Sequence, residues 1–324
     1  MAMKSRYQKI WSALKIDITG QPGRSHHSLL LLCCGFKDYV YLFCDILFDM
    51  RLTFLGTAAA EGYPATFCAC ENCRAARGAG GRNLRARSSV IVDGVVLIDL
   101  PPDLLARSVT CGVNLNGVRI LLITHSHPDH FYYEELRLRR WPFVVGGVGA
   151  LRVYGNDYVI GVLRRRFRGK LRALRMRLRA LKPFERVEVG GYVIEAVRAV
   201  HQTVEGEQPL NYIISRGNKS VLYASDTGPY PEEVLESLAA HRFDAVVLES
   251  TMCGLPQERF RFHTSFESAV KLKRWMEDNG VLKKGGLFIL THFSHVSCPL
   301  HEEIEEAMKP YGIVPAYDCM NVEF

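Results

Sequence analysis

Four of six consecutive residues in this chain are metal-ligand types: His125, His127, Asp129 and His130, in the run His-Ser-His-Pro-Asp-His. Imidazole and carboxylate suit zinc, manganese or iron, and so tight a cluster points to a metal site rather than to a polar turn. A second cluster lies upstream. Cys68, Cys70 and Cys73, in Cys-Ala-Cys-Glu-Asn-Cys, can wrap one zinc ion if a fourth donor arrives from elsewhere. Such a closed site holds loops in place and offers no open position for chemistry. The bland readings of the trio are reduced loop thiols or one disulfide with a thiol left over.

The elements around these residues must bring them together. The apolar run Arg119 to Ile123 reads as a buried strand ending at Thr124, so the histidine-rich loop emerges from a strand tip. Three further strands end the same way: His201 follows Val193 to Val200, Asp226 follows Val221 to Ala224, and His292 follows Leu287 to Leu290. Strand tips that all end in donors are expected to converge on one cleft. Val90 to Val92 and Val95 to Ile98 flank Asp93-Gly94, a hairpin signal, and Asp99 ends the second strand. Leu52 to Leu55 opens the series of strands. Helices are expected over Tyr132 to Arg140, Glu232 to Ala240 and Thr264 to Asp278, the last capped by Thr264 or Ser265. A longer, very basic helix is expected over Asp157 to Leu181. Clusters of strands separated by helices imply sheets covered by helices, an α/β architecture.

The chain has 324 residues, 48% hydrophobic and 23% charged, enough to bury the core of a globular enzyme. Its net charge of +7 fits an anionic substrate or a nucleic-acid surface without selecting either. Ten cysteines in so long a chain do not read as an extracellular disulfide framework, and the clustered trio suggests a reducing, cytoplasmic setting. The first 49 residues differ from the rest. Their apolar runs are broken by Lys37, Asp38 and Asp45, too short and too charged for a membrane span. We expect a poorly ordered extension over residues 1–49 and one catalytic domain over 50–324.

From residue 50 onward the chain resembles a metallo-β-lactamase-fold hydrolase. The family's metal loop, His-x-His-x-Asp-His, is matched by His125, His127, Asp129 and His130, and its later His, Asp and His ligands by His201, Asp226 and His292. The resemblance implies an αββα sandwich of two mixed sheets, with a dinuclear metal site along one edge. More narrowly, Gly56-Thr57, the cysteine loop and Thr291 to His295 resemble the phosphoribosyl cyclic phosphate phosphodiesterase of carbon–phosphorus lyase pathways, as does Arg139-Arg140-Trp141. The chain departs from many superfamily members at Leu100-Pro101-Pro102. A pyrroloquinoline quinone biosynthesis protein shares the cysteine loop but has a degenerate metal loop, whereas the loop here is intact.

By this resemblance His125, His127 and His201 hold one catalytic zinc or manganese ion, Asp129, His130 and His292 hold the second, and Asp226 bridges them. His295 completes a structural zinc site with the three cysteines. A metal-activated hydroxide would then attack phosphorus. Asp129 and His263 are the expected catalytic side chains, His263 as general acid to a departing sugar alkoxide. Asp99 is expected to orient a ligand imidazole. The expected substrate is a small anionic phosphodiester, with no membrane partner and a homodimer as one option. The competing readings are a ribonuclease of the tRNA 3′-processing type and a non-catalytic, metal-stabilised partner protein. Arginines from Arg164 to Arg179 crowd one segment, either as a solvated face or as a surface for RNA or another polyanion.

Overall fold

The computed structural model describes residues 49–324. The expected extension therefore lies outside the described residues apart from Asp49.

Two seven-stranded sheets form the centre. The first is built from β1 (Arg51–Gly56), β2 (Ser89–Val92), β3 (Val96–Ile98), β4 (Ile120–Leu122), β5 (Leu151–Gly155), β6 (Met176–Ala180) and the late strand β14 (Asn321–Glu323), in the order β14-β1-β2-β3-β4-β5-β6. The second contains β7 (Arg186–Val189), β8 (Tyr192–Arg198), β9 (Leu210–Arg216), β10 (Lys219–Ala224), β11 (Phe243–Glu249), β12 (Leu282–Thr291) and β13 (Val314–Pro315), in the order β13-β12-β11-β10-β9-β8-β7. Each sheet is antiparallel at one end and parallel at the other.

Side-chain alternation explains the layers. In β2, Val90 and Val92 face the inter-sheet core with Ile98, Leu122, Tyr212, Ile214 and Val247. Ile91 points the other way, with Leu121 and Val153, against α2 (Leu104–Thr110) and α3 (Asp157–Arg166). Leu222, Leu248, Phe288 and Leu290 point outward from the second sheet. They pack on α4 (Glu232–Ala239), α5 (Phe266–Asp278) and α6 (His301–Met308). The remaining helix, α1 (Glu71–Ala79), follows the cysteine loop. This is the expected αββα sandwich.

Parallel pairing is what positions the site. Ile98 is in register with Leu122, Ala224 with Leu248, and Glu249 with Thr291. The residues that follow, Asp99, His125, Asp226, Glu249 and His292, therefore leave the two sheets at the carboxyl ends of their strands, where ligands of parallel sheets bind. The edges meet there: Leu210 N donates to Thr124 O at 2.9 Å and the Tyr212 hydroxyl donates to Ile123 O at 2.6 Å.

Two helical expectations need correction. The segment Asp157 to Leu181 is not one helix: α3 stops at Arg166, and β6 begins at Met176. Gly169 at φ +73° and Arg175 at φ +51° break the chain direction, and alternation of exposed Arg177 and Arg179 with inward Met176 and Leu178 carries a strand period. Tyr132 to Arg140 forms only 3₁₀ turns, over Tyr133–Leu138. The helix over Phe266–Asp278 starts as expected, with Ser265 Oγ accepting from Ser268 N.

Candidate metal centre and active site

Each ligand-type side chain is held from behind. Asp99, fully buried, accepts from Thr124 N at 2.8 Å and from Thr124 Oγ1 at 3.0 Å, and its Oδ2 lies 2.7 Å from His130 Nδ1. Thr124 Oγ1 is also 3.0 Å from His125 Nδ1. A second buried carboxylate, Glu249, does the same on the other sheet. It accepts from Thr227 N at 3.1 Å and from Thr251 N and Oγ1 at 2.7 Å. Thr251 Oγ1 lies 2.8 Å from His292 Nδ1, and His201 Nδ1 donates to Phe262 O at 3.2 Å. With Nδ1 of His125, His130, His201 and His292 engaged, the tautomer that satisfies this network leaves Nε2 of all four as the donor toward the cleft.

Those nitrogens converge. The donors of His125, His127 and His201 lie within 4.8 Å of one another, as do those of Asp129, His130, Asp226 and His292. Asp226 stands between the groups: its Oδ2 is 2.6 Å from His130 Nε2, 3.1 Å from His292 Nε2 and 3.9 Å from His125 Nε2, and its Oδ1 is 4.0 Å from His201 Nε2. His125 Nε2 faces His127 Nδ1 at 2.9 Å, and His130 Nε2 faces His292 Nε2 at 3.3 Å. Lone pairs facing each other at such distances suit a shared cation. Asp226 Oδ2, buried without a well-directed hydrogen-bond donor, suits one too. The donor set therefore fits divalent metal ions. Asp99, Asp226 and His292 all have left-handed backbones, at φ +62°, +43° and +60°. The parallel strands and buried carboxylates hold them in that sparsely populated region.

His263 lies at the mouth, beside His127, His201, Val204 and Phe262. Its Nδ1 is 2.8 Å from Glu249 Oε1 and 3.6 Å from Asp226 Oδ1. Burial alone would depress its pKa, but the Glu249 carboxylate, through charge and hydrogen bond, and then Asp226 raise it to about 9. His263 is thus away from the cysteines. Glu249 was missed in the sequence; an acid at the end of Ala245 to Leu248 follows the same strand-tip pattern as Asp226, and that was the available signal.

The cysteine site is separate. Cys68, Cys70, Cys73 and His295 place their donors within 4.8 Å of one another, with Cys70 Sγ 3.5 Å from His295 Nδ1. The Cys73 N–H, together with His295, lowers the Cys70 thiol to about 6, whereas burial pushes Cys73 up to about 11. Glu61, also unforeseen, lies 3.7 Å from His295 Nε2 and accepts from Ser294 Oγ at 2.5 Å. A carboxylate behind the ring supports Nδ1 as a zinc donor. Three thiols and one imidazole fit a closed tetrahedral zinc site.

Residues 95–293, more than half of the chain, match the β-lactamase superfamily domain, and the chain belongs to that superfamily. No curated protein matches it. Among solved structures it is similar to a diphosphatase of the PhnP family, at 25% identity and a TM-score of 0.67, over 86% of this chain and 98% of that one. Zinc-bound PqqB from Methylobacterium extorquens is 17% identical with a TM-score of 0.62, over 85% and 100% of the two chains. The short form of human tRNase Z is 17% identical with a TM-score of 0.58, over 84% and 98%. At those identities the last two likenesses concern the fold. The chain is a metal-dependent hydrolase of the metallo-β-lactamase fold.

Proposed function

We propose that this hydrolase is a phosphodiesterase for a small, cyclic sugar phosphodiester. The observation that carries the reading is the Glu249–His263 pair, 2.8 Å apart, at the mouth of a seven-donor centre. His125, His127 and His201 would hold one divalent ion, Asp129, His130 and His292 the other, and Asp226 both. Bound there, zinc or manganese ions ionise water near neutral pH and neutralise charge growing on phosphoryl oxygens. The protein's own part is to orient and to move a proton. Asp99 and Glu249, through Thr124 and Thr251, fix the imidazoles. Glu249 holds Nδ1 of His263, which leaves Nε2 to protonate an alkoxide leaving group, a need that a poor leaving group such as a sugar hydroxyl creates. Val204 and Phe262, about two-fifths exposed at 42% and 40%, flank the cleft and favour a small substrate. The similarity to a diphosphatase of the PhnP family supports phosphorus–oxygen chemistry.

The test is metal analysis joined to a hydrolysis screen with bis-p-nitrophenyl phosphate, ribose cyclic phosphates, a tRNA precursor and a β-lactam. The reading expects two ions besides one cysteine-bound zinc, with turnover of the cyclic phosphates. Turnover confined to the tRNA precursor would replace it with a tRNA 3′-processing ribonuclease. Metal-replete protein without diesterase activity would replace it with a non-catalytic role.

A further inference from the structure

The arginine-rich segment takes no part in the chemistry above. From Glu134 to Arg179 the chain carries 13 Lys and Arg against three Asp and Glu, a local +10 in a protein of net charge +7, so the remainder is net acidic. Arg137, Arg140, Arg166 and Lys170 rim a shallow groove at one corner, on the α3 side of the first sheet, while Arg152 on β5 and Arg177 on the edge strand β6 lie in register on the sheet's other face. Among the described residues, ion pairs to this segment come from Glu134 and Glu185 alone.

Within the same segment lies its opposite. Residues 141–150 read Trp-Pro-Phe-Val-Val-Gly-Gly-Val-Gly-Ala, without a charge or a hydroxyl. Trp141, Phe143 and Val145 are 81%, 60% and 89% exposed. The loop is closed at its base: Arg139 Nη2 donates to Gly149 O at 2.7 Å, and the N–H groups of Phe143 and Val144 donate to Arg140 O. Arg139 Nε is buried without a partner. Burial, and then the nearby Arg119 and Arg175 cations, lower the pKa of Arg139. Cations are thus crowded under an apolar tip.

Three occupants can be weighed. A second copy would bring a like-charged face against this one, which is repulsive. Single-stranded nucleic acid would use the arginines and stack on Trp141 and Phe143, but gains little from Val145 and its glycine-rich flank. An anionic bilayer uses every part: arginines on the phosphates, tryptophan at the headgroup level, phenylalanine and valine in the acyl boundary. We propose that the 141–150 loop and its arginine collar form a docking surface for a bilayer containing anionic phospholipid. This departs from the expectation of no membrane partner, which rested on the lack of a spanning segment; among the described residues no helix is long and apolar enough to cross a membrane, and the contact inferred is peripheral and needs no span.

The experiment is sedimentation of the full chain with vesicles of phosphatidylcholine alone or mixed with phosphatidylserine, at low and high salt. Binding to the mixed vesicles should be at least tenfold tighter and should weaken with salt. The Trp141→Ser/Phe143→Ser/Val145→Ser variant changes only exposed side chains and should hydrolyse a soluble diester normally while losing at least tenfold in vesicle binding. Arg137→Glu/Arg140→Glu/Lys170→Glu, on the groove at the base of the loop, should abolish the preference for anionic lipid. Equal binding of both vesicle types, or a triple-serine variant that binds as the wild type does, would overturn the proposal. Tight single-stranded RNA binding without vesicle binding would also overturn it and assign the corner to nucleic acid.

Discussion

His263 and Asp99 each belong to an imidazole–carboxylate hydrogen bond, one as the imidazole and the other as the carboxylate, and their removal should read differently. His263 stands at the mouth with Glu249 behind it. His263→Ala should lower kcat by roughly 10²–10⁴, the usual worth of a general acid, with bound metal unchanged. Elemental analysis beside the kinetics checks this, and a variant that loses metal would make His263 a ligand. Asp99 lies under His130, 2.7 Å from Nδ1. Asp99→Asn should weaken metal binding by about 10–100-fold, measured by competition with a chelator. An unchanged affinity would reduce Asp99 to a loop anchor. At this scale the sequence was informative where residue type and crowding coincide, as in the run from His125 to His130. Glu249 carried only the strand-tip signal it shares with Asp226, and Glu61, between Ala60 and Gly62, carried none, because a single acid in a turn looks the same whether or not it supports a ligand.

At the level of elements, strands were readable where one face is apolar and hidden where long charged stems do the covering. In β6 the exposed arginines favour a helix by propensity, and a strand period only five residues long needs pairing with β5 to prevail. The start of α6 shows a second kind of hidden constraint. His301 is 2% exposed, and its Nδ1 accepts from Arg85 Nη2 at 2.9 Å. Arg85 itself is buried, stacks over Phe293 at 4.5 Å and also donates to Thr57 Oγ1 and Ala316 O. Burial and the Arg85 cation hold His301 down to about 4. Because the folded pKa lies below the unfolded value, about 6.5, the neutral ring's contribution is complete above pH 6.5 and is lost as pH falls toward 4. The loss should reach roughly 2–3 kcal/mol. Urea unfolding of wild type and His301→Gln across that window checks it. The variant keeps an acceptor but cannot titrate, so wild type should lose stability relative to it as pH falls; parallel curves would remove His301 as the cause.

Across the whole molecule, the cysteines pose a chemical question that spacing alone could not raise. The trio at Cys68 to Cys73 suits zinc and suggested a reducing environment, but the fold pairs four others. Cys111, just after α2, bonds to Cys319, just before β14, and Cys253 bonds to Cys298. The first bond spans 208 residues of sequence and fastens the chain's late strand to the helix over the first sheet. No local pattern announces a partner that far away. Closing so long a loop restricts the unfolded chain strongly, worth ~5 kcal/mol in the entropic picture and commonly less. The second bond ties the loop after Glu249 to the segment between His295 and α6, so it braces the catalytic and zinc loops together. Cys319→Ser should therefore lower the unfolding free energy by about 2–5 kcal/mol without reductant, and the difference between variant and wild type should vanish in dithiothreitol, which opens both bonds of the wild type and the remaining one of the variant. Thiol titration in denaturant with a chelator present provides the independent check: the two bonds withhold four of the ten cysteines. Ten reactive thiols, together with a variant as stable as the wild type, would mean that packing alone holds these ends of the sandwich.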